Sequence, residues 1–167
     1  MESSIDIEVV IKNMCLKRVI IGLGSNLGDR AENLSRARQM VANRVGEISR
    51  LSSISETESW GFEAPSFLNQ ALMVNTMLAP LELLDCLQAI ELELGRTEKT
   101  HIHDGRPIYS SRTIDLDILD YEGIRLREER LTIPHPQIPY RDFVKAELRE
   151  LGVLDEILNK ISDNDTI

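Results

Sequence analysis

The sequence predicts an α+β domain in which helices pack on a mainly antiparallel sheet, and three observations lead to this class. A β-branched run at residues 18–24 leads into a glycine-containing turn and then into apolar residues at helical spacing. Two more strand-like runs precede a second amphipathic helix. Alternating residues after position 113 add a fourth strand. The resulting β-α-β-β-α-β order is that of the split βαβ unit of ferredoxin-like folds.

The first half of this predicted domain contains one helix between strands. Asp29 can cap the helix, whose apolar positions recur at helical spacing up to Gly46. Weak alternation over residues 48–57 predicts the second strand, and residues 68–78 predict the third. The turn before Asp29 therefore joins the first strand directly to a helix.

The second half adds elements beyond the six of the core. Pro80 begins the second helix, which has one apolar face and ends at Gly95. The fourth strand turns at residues 121–123 into a short extra hairpin strand. Residues 140–161 predict C-terminal helices with a break near Gly152.

The length of 167 residues suits one domain with a core of ordinary size. We expect a single domain at residues 18–161 and a frayed acidic tail at residues 162–167. Residues 1–17 form an N-terminal extension. Either this extension adds a strand, or Met14 within it is the translation start.

Composition excludes several classes of function. The formal net charge of −9 argues against a nucleic-acid or membrane-surface partner, and no apolar run approaches the length of a membrane span. Cys15 and Cys86 are too few and too far apart for a disulfide framework or a zinc site. We therefore expect a protein of the reducing cytoplasm.

Two carboxylates, Asp115 and Asp117, alternate within the fourth strand. Residues two apart on a strand point to the same face, so both carboxylates can bind the same hard cations, and Mg²⁺ suits such a pair. Arg112, just before them, can hold a phosphate. The alternative is the solvated face of an edge strand, but Asp is a poor strand former and its presence here favours a metal and phosphate site.

Cationic side chains bracket this pair in an otherwise acidic chain, and prolines on both sides of His135 fix its direction. Arg125 and Arg127 are interpreted as solvated, and a solvent-facing His135 is an equal alternative. The bracketing residues are Arg96, Lys99, Arg106, Arg112, Arg130, His135 and Arg141.

The polar stretch at residues 96–111 is long for a connection inside a compact domain, so we expect a lid that folds over bound phosphate. His101 and His103 lie within this stretch, where a transition-metal site is disfavoured because flexible loops make poor metal sites.

Aromatic residues make up only 4% of the chain, and six of them are predicted in or beside loops. This placement favours a flat ligand clamped between rings, although each ring alone could equally fill a gap in the core. Asn69, two residues after Phe67, can offer both a donor and an acceptor to the edge of a heterocycle. The six are Trp60, Phe62, Phe67, Tyr109, Tyr140 and Phe143.

Several segments together resemble the 6-hydroxymethyl-7,8-dihydropterin pyrophosphokinase family of folate biosynthesis. The resemblance covers roughly residues 18–151, and agreement among independent motifs is more specific than any single motif. The segments are Gly24-Ser25-Asn26, Phe67-Leu68-Asn69, residues 91–96, Arg112-Thr113-Ile114-Asp115-Leu116-Asp117, and residues 130–135 with Arg141 and Phe143.

The resemblance implies transfer of the β,γ-pyrophosphoryl group of ATP to the hydroxymethyl oxygen of 6-hydroxymethyl-7,8-dihydropterin, which leaves AMP. Asp115 and Asp117 would then bind two Mg²⁺ ions and act in catalysis together with Arg96 and Arg112. The implied ATP contacts are Gln88, Glu91, Arg130, Thr132, His135 and Arg141. The implied pterin contacts are Thr57, Trp60, Phe67, Asn69 and Phe143.

Two rival functions are weighed against this one. A nucleotidyl transferase on the same fold would release pyrophosphate, and a non-enzymatic metabolite-binding module would have no use for paired carboxylates among arginines. We expect a cytoplasmic monomer whose partners are ATP and the pterin.

Overall fold

The computed structural model describes residues 6–59, 65–95, 101–103, 106–108 and 113–163. A short 3₁₀ turn at Ile138–Tyr140 joins the sheet to the last two helices. The helices are α1 Ile7–Cys15, α2 Arg30–Arg44, α3 Pro80–Glu93, α4 Asp142–Glu150 and α5 Leu154–Ser162. The strands are β1 Lys17–Ser25, β2 Gly46–Leu51, β3 Ser55–Thr57, β4 Phe67–Thr76, β5 His101–His103, β6 Arg106–Ile108, β7 Asp115–Tyr121, β8 Leu126–Arg127 and β9 Thr132–Ile133.

The main sheet has the order β2-β4-β1-β7, with every pairing antiparallel and β3 added beside β4. Counted along the six-element core, this order is second, third, first, fourth strand, with α2 and α3 as the connecting helices. The predicted α+β, ferredoxin-like class is confirmed, with an extra hairpin and C-terminal helices. The extra hairpin is formed by β8 with β9 in a sheet of its own, and not by one strand added to β7 as expected.

One face of the sheet forms the main core. On β1, Val19, Ile21 and Leu23 alternate with residues of the opposite face and are at most 3% exposed. They join the buried faces of α2 and α3 in one apolar cluster. The helices predicted from apolar periodicity are therefore held on this side of the sheet by burial.

The opposite face is only partly covered. Ile20, Ala71 and Leu119 form a second core with α4 and α5. Further along the same face of β1 come Gly22 and Gly24, which carry no side chain. Gly22 is half-buried and Gly24 is buried, so the two positions form a floor without side chains of its own, lined by residues of the neighbouring strands, next to the second core.

The predicted strand at residues 48–57 is in fact interrupted, because Ser52 ties the chain to β4 between β2 and β3. Its Oγ accepts a hydrogen bond from the Ala71 amide at 2.9 Å, and its carbonyl accepts one from Gln70 Nε2 at 2.8 Å. The exposed segment around Ser53 then bends away before pairing with β4 resumes at Ser55.

The expectation that the N-terminal extension adds a strand is wrong, since α1 is a helix. The carboxylate of Asp6 caps it by accepting from the Glu8 amide at 3.1 Å. At the other end of the chain, α5 extends to Ser162, and residues 164–167 of the expected tail lie outside the described residues.

The expected lid, residues 96–111, is described only in part. β5 and β6 pair as a short antiparallel ladder within it, which differs from the irregular loop that its composition predicts. Its remaining residues lie outside the described residues. No helix in the described part of the chain is long and apolar enough to cross a membrane.

Candidate active site

Asp115 and Asp117 lie on β7, the strand at one edge of the main sheet. Asp115 is in register with Gly24 of β1, and Asp117 is in register with Gly22. Both aspartates are half-buried, and strand alternation puts them on the open face. The prediction that they share one face of a strand is therefore confirmed.

The chemistry of this pair fits magnesium. Two carboxylates are the usual protein share of a Mg²⁺ shell, which phosphate oxygens and water complete. Among the described residues no group of three or more His, Cys, Asp or Glu side chains comes together. The described residues therefore do not form a metal site with protein ligands alone, of the kind that holds structural zinc.

A second group of predicted residues lies across the sheet from the aspartates. Asn69 of β4 is in register with Gly24, is only 5% exposed, and donates from Nδ2 to Oγ1 of Thr57 at 2.9 Å. Thr57 is in register with Phe67. A Cβ atom on Gly24 would lie 3.5 Å from both Asn69 Oδ1 and Phe67 Cδ1. The amide and the ring therefore lie directly beside Gly24.

The two rings expected to clamp a flat ligand lie at the beginnings of regular elements, which agrees with their prediction in or beside loops. Phe67 is the first residue of β4, and Phe143 lies in the first turn of α4. Phe143 packs against the second core and thus lies on the same side of the sheet as Phe67. Tyr121 is a core aromatic on β7, where its hydroxyl donates to the Leu78 carbonyl at 2.8 Å.

The turn after β1 is tied to the segments on either side of residues 60–64. Asn26 is fully buried, and its Nδ2 donates to Ser59 Oγ and to the Pro65 carbonyl, both at 3.3 Å. Ser59 Oγ also donates to the Pro65 carbonyl at 2.6 Å. Trp60, a predicted contact, lies outside the described residues.

Arg30 is a positioning residue that sequence reasoning missed. Its guanidinium donates to the Ser66 carbonyl at 2.7 Å and lies 3.6 Å from Glu56. It therefore ties the start of α2 to the residue before Phe67. A cation in the first turn of a helix, where anions are favoured, was the available signal for a tertiary role.

A cleft of about 260 Å³ lies along the outer edge of β7 and contains four of the predicted residues. Those four are Asp117, Arg130, Thr132 and His135, and the other lining residues are Leu84, Leu116, Ile118, Glu129, Leu131 and Pro136. The cleft therefore joins one carboxylate of the metal pair to a cation and to an imidazole.

Arg130 is anchored from α3. Its NH2 donates to Asp85 Oδ1 at 2.6 Å and to Gln88 Oε1 at 3.4 Å. The Arg130 side chain is still 52% exposed. A guanidinium that is aimed by a carboxylate yet open to solvent has donors left for a phosphate.

His135 is held by one hydrogen bond to β7 and by one within its own segment. Its amide donates to the Leu119 carbonyl at 2.9 Å, and its Nδ1 accepts from the Gln137 amide at 3.1 Å. In the neutral ring Nε2 must therefore carry the proton, so this edge is a hydrogen-bond donor. A directed His135 is thus favoured over a merely solvent-facing one.

The other predicted residues are placed less directly. Glu91 is buried on α3 at 3% exposure, and Arg141 is exposed just before α4. Arg96 and Arg112 lie outside the described residues. The structure therefore places the two aspartates and the group formed by Phe67 and Asn69 on one face of the sheet. Of the predicted phosphate-binding arginines, Arg130 is the one whose contacts are described.

Side chains suited to phosphate lie at one edge of this ferredoxin-like sheet, and side chains suited to a flat ring lie near its centre. This is the arrangement of a transferase that brings two substrates together on an α+β scaffold. The sequence model of the 7,8-dihydro-6-hydroxymethylpterin-pyrophosphokinase (HPPK) family matches residues 20–153. The chain belongs to this family.

Curated relatives agree over most of the chain. The 2-amino-4-hydroxy-6-hydroxymethyldihydropteridine pyrophosphokinase of Porphyromonas gingivalis is 44% identical over 136 residues, which is 80% of this chain and 90% of the relative. The Bacillus subtilis protein of the same name is 40% identical over 133 residues, 78% of this chain and 75% of the relative. A mitochondrial folate synthesis bifunctional protein of Pisum sativum is 38% identical over 90% of this chain but only 27% of the relative.

Solved structures support the fold. Wild-type Plasmodium falciparum HPPK-DHPS with STZ-DHP superposes with a TM-score of 0.60 at 15% identity, over 81% of this chain and 39% of that chain. An HPPK-DHPS structure in complex with substrates gives a TM-score of 0.58 at 16% identity, over 85% of this chain and 41% of that one. The chain spans less than half the length of these two-part proteins.

Proposed function

We propose that this protein transfers the pyrophosphoryl group of ATP to the hydroxymethyl group of 6-hydroxymethyl-7,8-dihydropterin in folate biosynthesis, giving AMP and the pterin diphosphate. The observation that carries the proposal is the row Asp115, Gly24, Asn69 across three adjacent strands. Two strand spacings separate a metal-binding carboxylate from a ring-reading amide by roughly 10 Å. A flat ring and a phosphate chain can meet over the glycine between them.

On the nucleotide side, Asp115 and Asp117 would hold two Mg²⁺ ions, and these ions would neutralise charge on the phosphate chain. Arg130 and Thr132 would line the nucleotide cleft, and the proton on His135 Nε2 would be donated to a phosphate oxygen. The remaining ATP contacts in the proposal are Gln88, Glu91 and Arg141.

On the acceptor side, Phe67 and Phe143 would stack on the two faces of the pterin. Asn69 has its Nδ2 bonded to Thr57, so its Oδ1 accepts from the pterin edge. Trp60 would complete this part of the site. The contribution of these residues is to orient the hydroxymethyl oxygen toward the β-phosphorus.

At the reacting atoms, the mechanism depends on position and electrostatics, since a loose phosphoryl transfer asks for little covalent chemistry. The hydroxymethyl oxygen attacks the β-phosphorus and releases its proton to solvent, and the bond from that phosphorus to the oxygen bridging to the α-phosphate breaks. Arg96 and Arg112 are proposed to neutralise the charge that spreads during the transfer. AMP leaves with the bridging oxygen.

The wider proposal is a cytoplasmic monomer, organised as one domain at residues 18–161, with no nucleic-acid or membrane partner. Its acidic net charge of −9 supports the last part.

The product nucleotide tests the function. Purified protein is incubated with ATP, Mg²⁺ and the hydroxymethyl pterin, and the nucleotides are separated by ion-exchange chromatography. We expect one AMP for each pterin diphosphate. Stoichiometric ADP would indicate a simple kinase, and free pyrophosphate would indicate a nucleotidyl transferase. Either product would refute the proposal. A control with protein, ATP and Mg²⁺ but without the pterin measures background ATP hydrolysis.

A further inference from the structure

A bulge between β2 and β3 decides which face of the sheet Thr57 occupies. The end of β2 pairs with Leu72 of β4 and the start of β3 pairs with Asn69, which leaves residues 52–54 opposite only two residues of β4. One extra residue of this kind is a β-bulge. Without it the register of β3 would slip by one residue, and Thr57 would turn to the other face of the sheet.

On the side of the main core, a buried amide holds the bulge. Gln70 of β4 is 3% exposed, and its Nε2 donates to the Ser52 carbonyl at 2.8 Å. Its Oε1 accepts from the Arg38 guanidinium of α2 at 2.8 Å. The reversed amide would set a donor against the guanidinium and an acceptor against the carbonyl. Arg38 therefore directs the Gln70 amide toward Ser52.

On the opposite side, a carboxylate of α4 holds the next residue of the bulge. Both oxygens of Glu150 accept from the Ser53 amide, at 3.1 and 3.2 Å, and Oε1 also accepts from the Ser53 hydroxyl. The extra residue of a bulge is left out of the hydrogen-bond ladder, so its amide needs an acceptor elsewhere. Glu150 supplies that acceptor.

The two carboxyl groups of α4 differ in their protonation. The hydrogen bond from the Ser53 hydroxyl, followed by that from its amide, lowers the pKa of Glu150. Glu147 is 3% exposed, and its burial, followed by the negative charge of Glu150, raises its pKa to about 8. At neutral pH the bulge is therefore held by an ionised carboxylate, and Glu147 does not compete for that position.

The helix α4 is the fixed partner in the contact with Ser53. Val144, Leu148 and Leu151 are at most 4% exposed in the second core, so burial holds the helix independently of Glu150. Ser53, in contrast, is exposed. Loss of the contact would therefore release the bulge and leave α4 in place, with Phe143 in its first turn.

From the bulge, β3 runs to the pterin side of the candidate site. It is a strand of three residues that pairs with β4 alone in the sheet. So short an edge strand has little pairing of its own to fix its register. Its last residue, Thr57, accepts from Asn69 Nδ2 at 2.9 Å, and this bond sets the orientation of the Asn69 amide.

We propose that Arg38 and Glu150, on opposite faces of the sheet, clamp the bulge and thereby fix the register of β3, so that Thr57 turns the Asn69 amide toward the pterin. Both are positioning residues that act through Asn69, and this inference rests on the proposed function.

Steady-state kinetics test the clamp. Glu150→Ala and Arg38→Ala should each raise the KM for the pterin about tenfold and leave the KM for ATP at the parent value, because a turned Asn69 amide weakens pterin binding alone. Glu150→Gln keeps an oxygen that accepts from Ser53, so it should restore the pterin KM to within about twofold of the parent.

Each alanine variant has a matched control. Glu156→Ala removes an exposed carboxylate of α5 that binds Arg18, and Arg36→Ala removes an exposed cation of α2. Both controls should keep the pterin KM of the parent. If either Glu150→Ala or Arg38→Ala also keeps the pterin KM of its control, the proposal is overturned.

The side-chain amide of Asn69 reports on the clamp without turnover. In ¹⁵N-labelled protein free of substrates, its Nδ2 protons should exchange with water about tenfold faster in both alanine variants than in the parent, since the Thr57 bond protects them. Exchange in the two controls should match the parent. An unchanged exchange rate in either alanine variant refutes the clamp. If no AMP forms in any protein, the proposed function fails, and the exchange measurement still decides whether Arg38 and Glu150 fix β3.

Discussion

Asp115 and Gly24 face one another on adjacent antiparallel strands, so a carboxylate of the proposed metal pair stands beside a position that has no side chain. The glycine is needed there for space and not for backbone freedom, because it lies within an extended strand. A Cβ there would lie 3.5 Å from the ring of Phe67 and from the amide of Asn69. The floor between the two proposed substrate-binding groups therefore depends on this absence of a side chain.

Replacing Gly24 by valine should fill that floor while leaving the sheet folded. Valine favours strands, but Gly24 is buried and the first added carbon already lies 3.5 Å from two side chains, so the two further methyl groups should cost about 1–3 kcal/mol of stability. The pterin KM should rise at least tenfold, with a smaller rise in Gly24→Ala. Urea unfolding and pterin titration calorimetry measure the two effects. Unchanged pterin affinity in the valine variant would place the pterin elsewhere.

Asp115→Asn or Asp117→Asn should lower kcat about a thousandfold, since each change removes a charge worth several kcal/mol to metal-assisted transfer. Both variants should remain folded, and urea unfolding checks this, so that a loss of turnover can be assigned to the site. Turnover within a few fold of the parent would exclude these aspartates as the metal pair.

Asp120, on the same strand, supplies the matched control. It is buried and accepts from Lys160 Nζ at 2.8 Å, which ties α5 to β7. Asp120→Asn should cost about 3 kcal/mol of stability, because it leaves a buried ammonium without its counter-charge. Its kcat at a temperature well below unfolding should match the parent, the reverse of the pattern for Asp117.

The order of the elements and the common face of Asp115 and Asp117 could be predicted from the sequence, because local signals determine them. Asp29 does cap α2, where it accepts from the Glu32 amide at 3.1 Å, and Pro80 does begin α3. The alternation of Asp115 and Asp117 fixes their common face once β7 is a strand. These features need no knowledge of distant contacts.

Features created by tertiary contact were not predictable in the same way. The roles of Asn26 and Arg30 depend on a loop more than 30 residues away. Phe143 lies in the segment predicted to be helical, but its packing against the second core and the burial of Glu147 follow from how α4 packs on β4. No local pattern marks a glutamate that tertiary packing will bury.

Arg130 should contribute to ATP binding. Arg130→Ala removes a charge-assisted contact to phosphate worth about 1.4 kcal/mol, so the KM for ATP should rise about tenfold while the pterin KM stays constant. Arg44→Ala is the matched control, since Arg44 forms an exposed pair with Glu93 through two bonds of 2.8 and 2.7 Å outside the cleft. Equal ATP affinities for the two variants would remove Arg130 from the site.

Stability should fall with rising pH because of Glu147. Its pKa is about 8 in the folded protein and near 4.5 in the unfolded chain, so the folded state keeps a proton that the unfolded state loses between these values. The free energy of unfolding should therefore decrease by about 1.4 kcal/mol per pH unit over this window and then level off above pH 8. Urea unfolding of the parent and of Glu147→Gln at pH 5, 6, 7, 8 and 9 isolates this effect. The free energy of unfolding of the glutamine variant should rise relative to that of the parent up to pH 8. A difference that does not vary with pH would mean that the carboxyl is ionised in the folded protein at neutral pH.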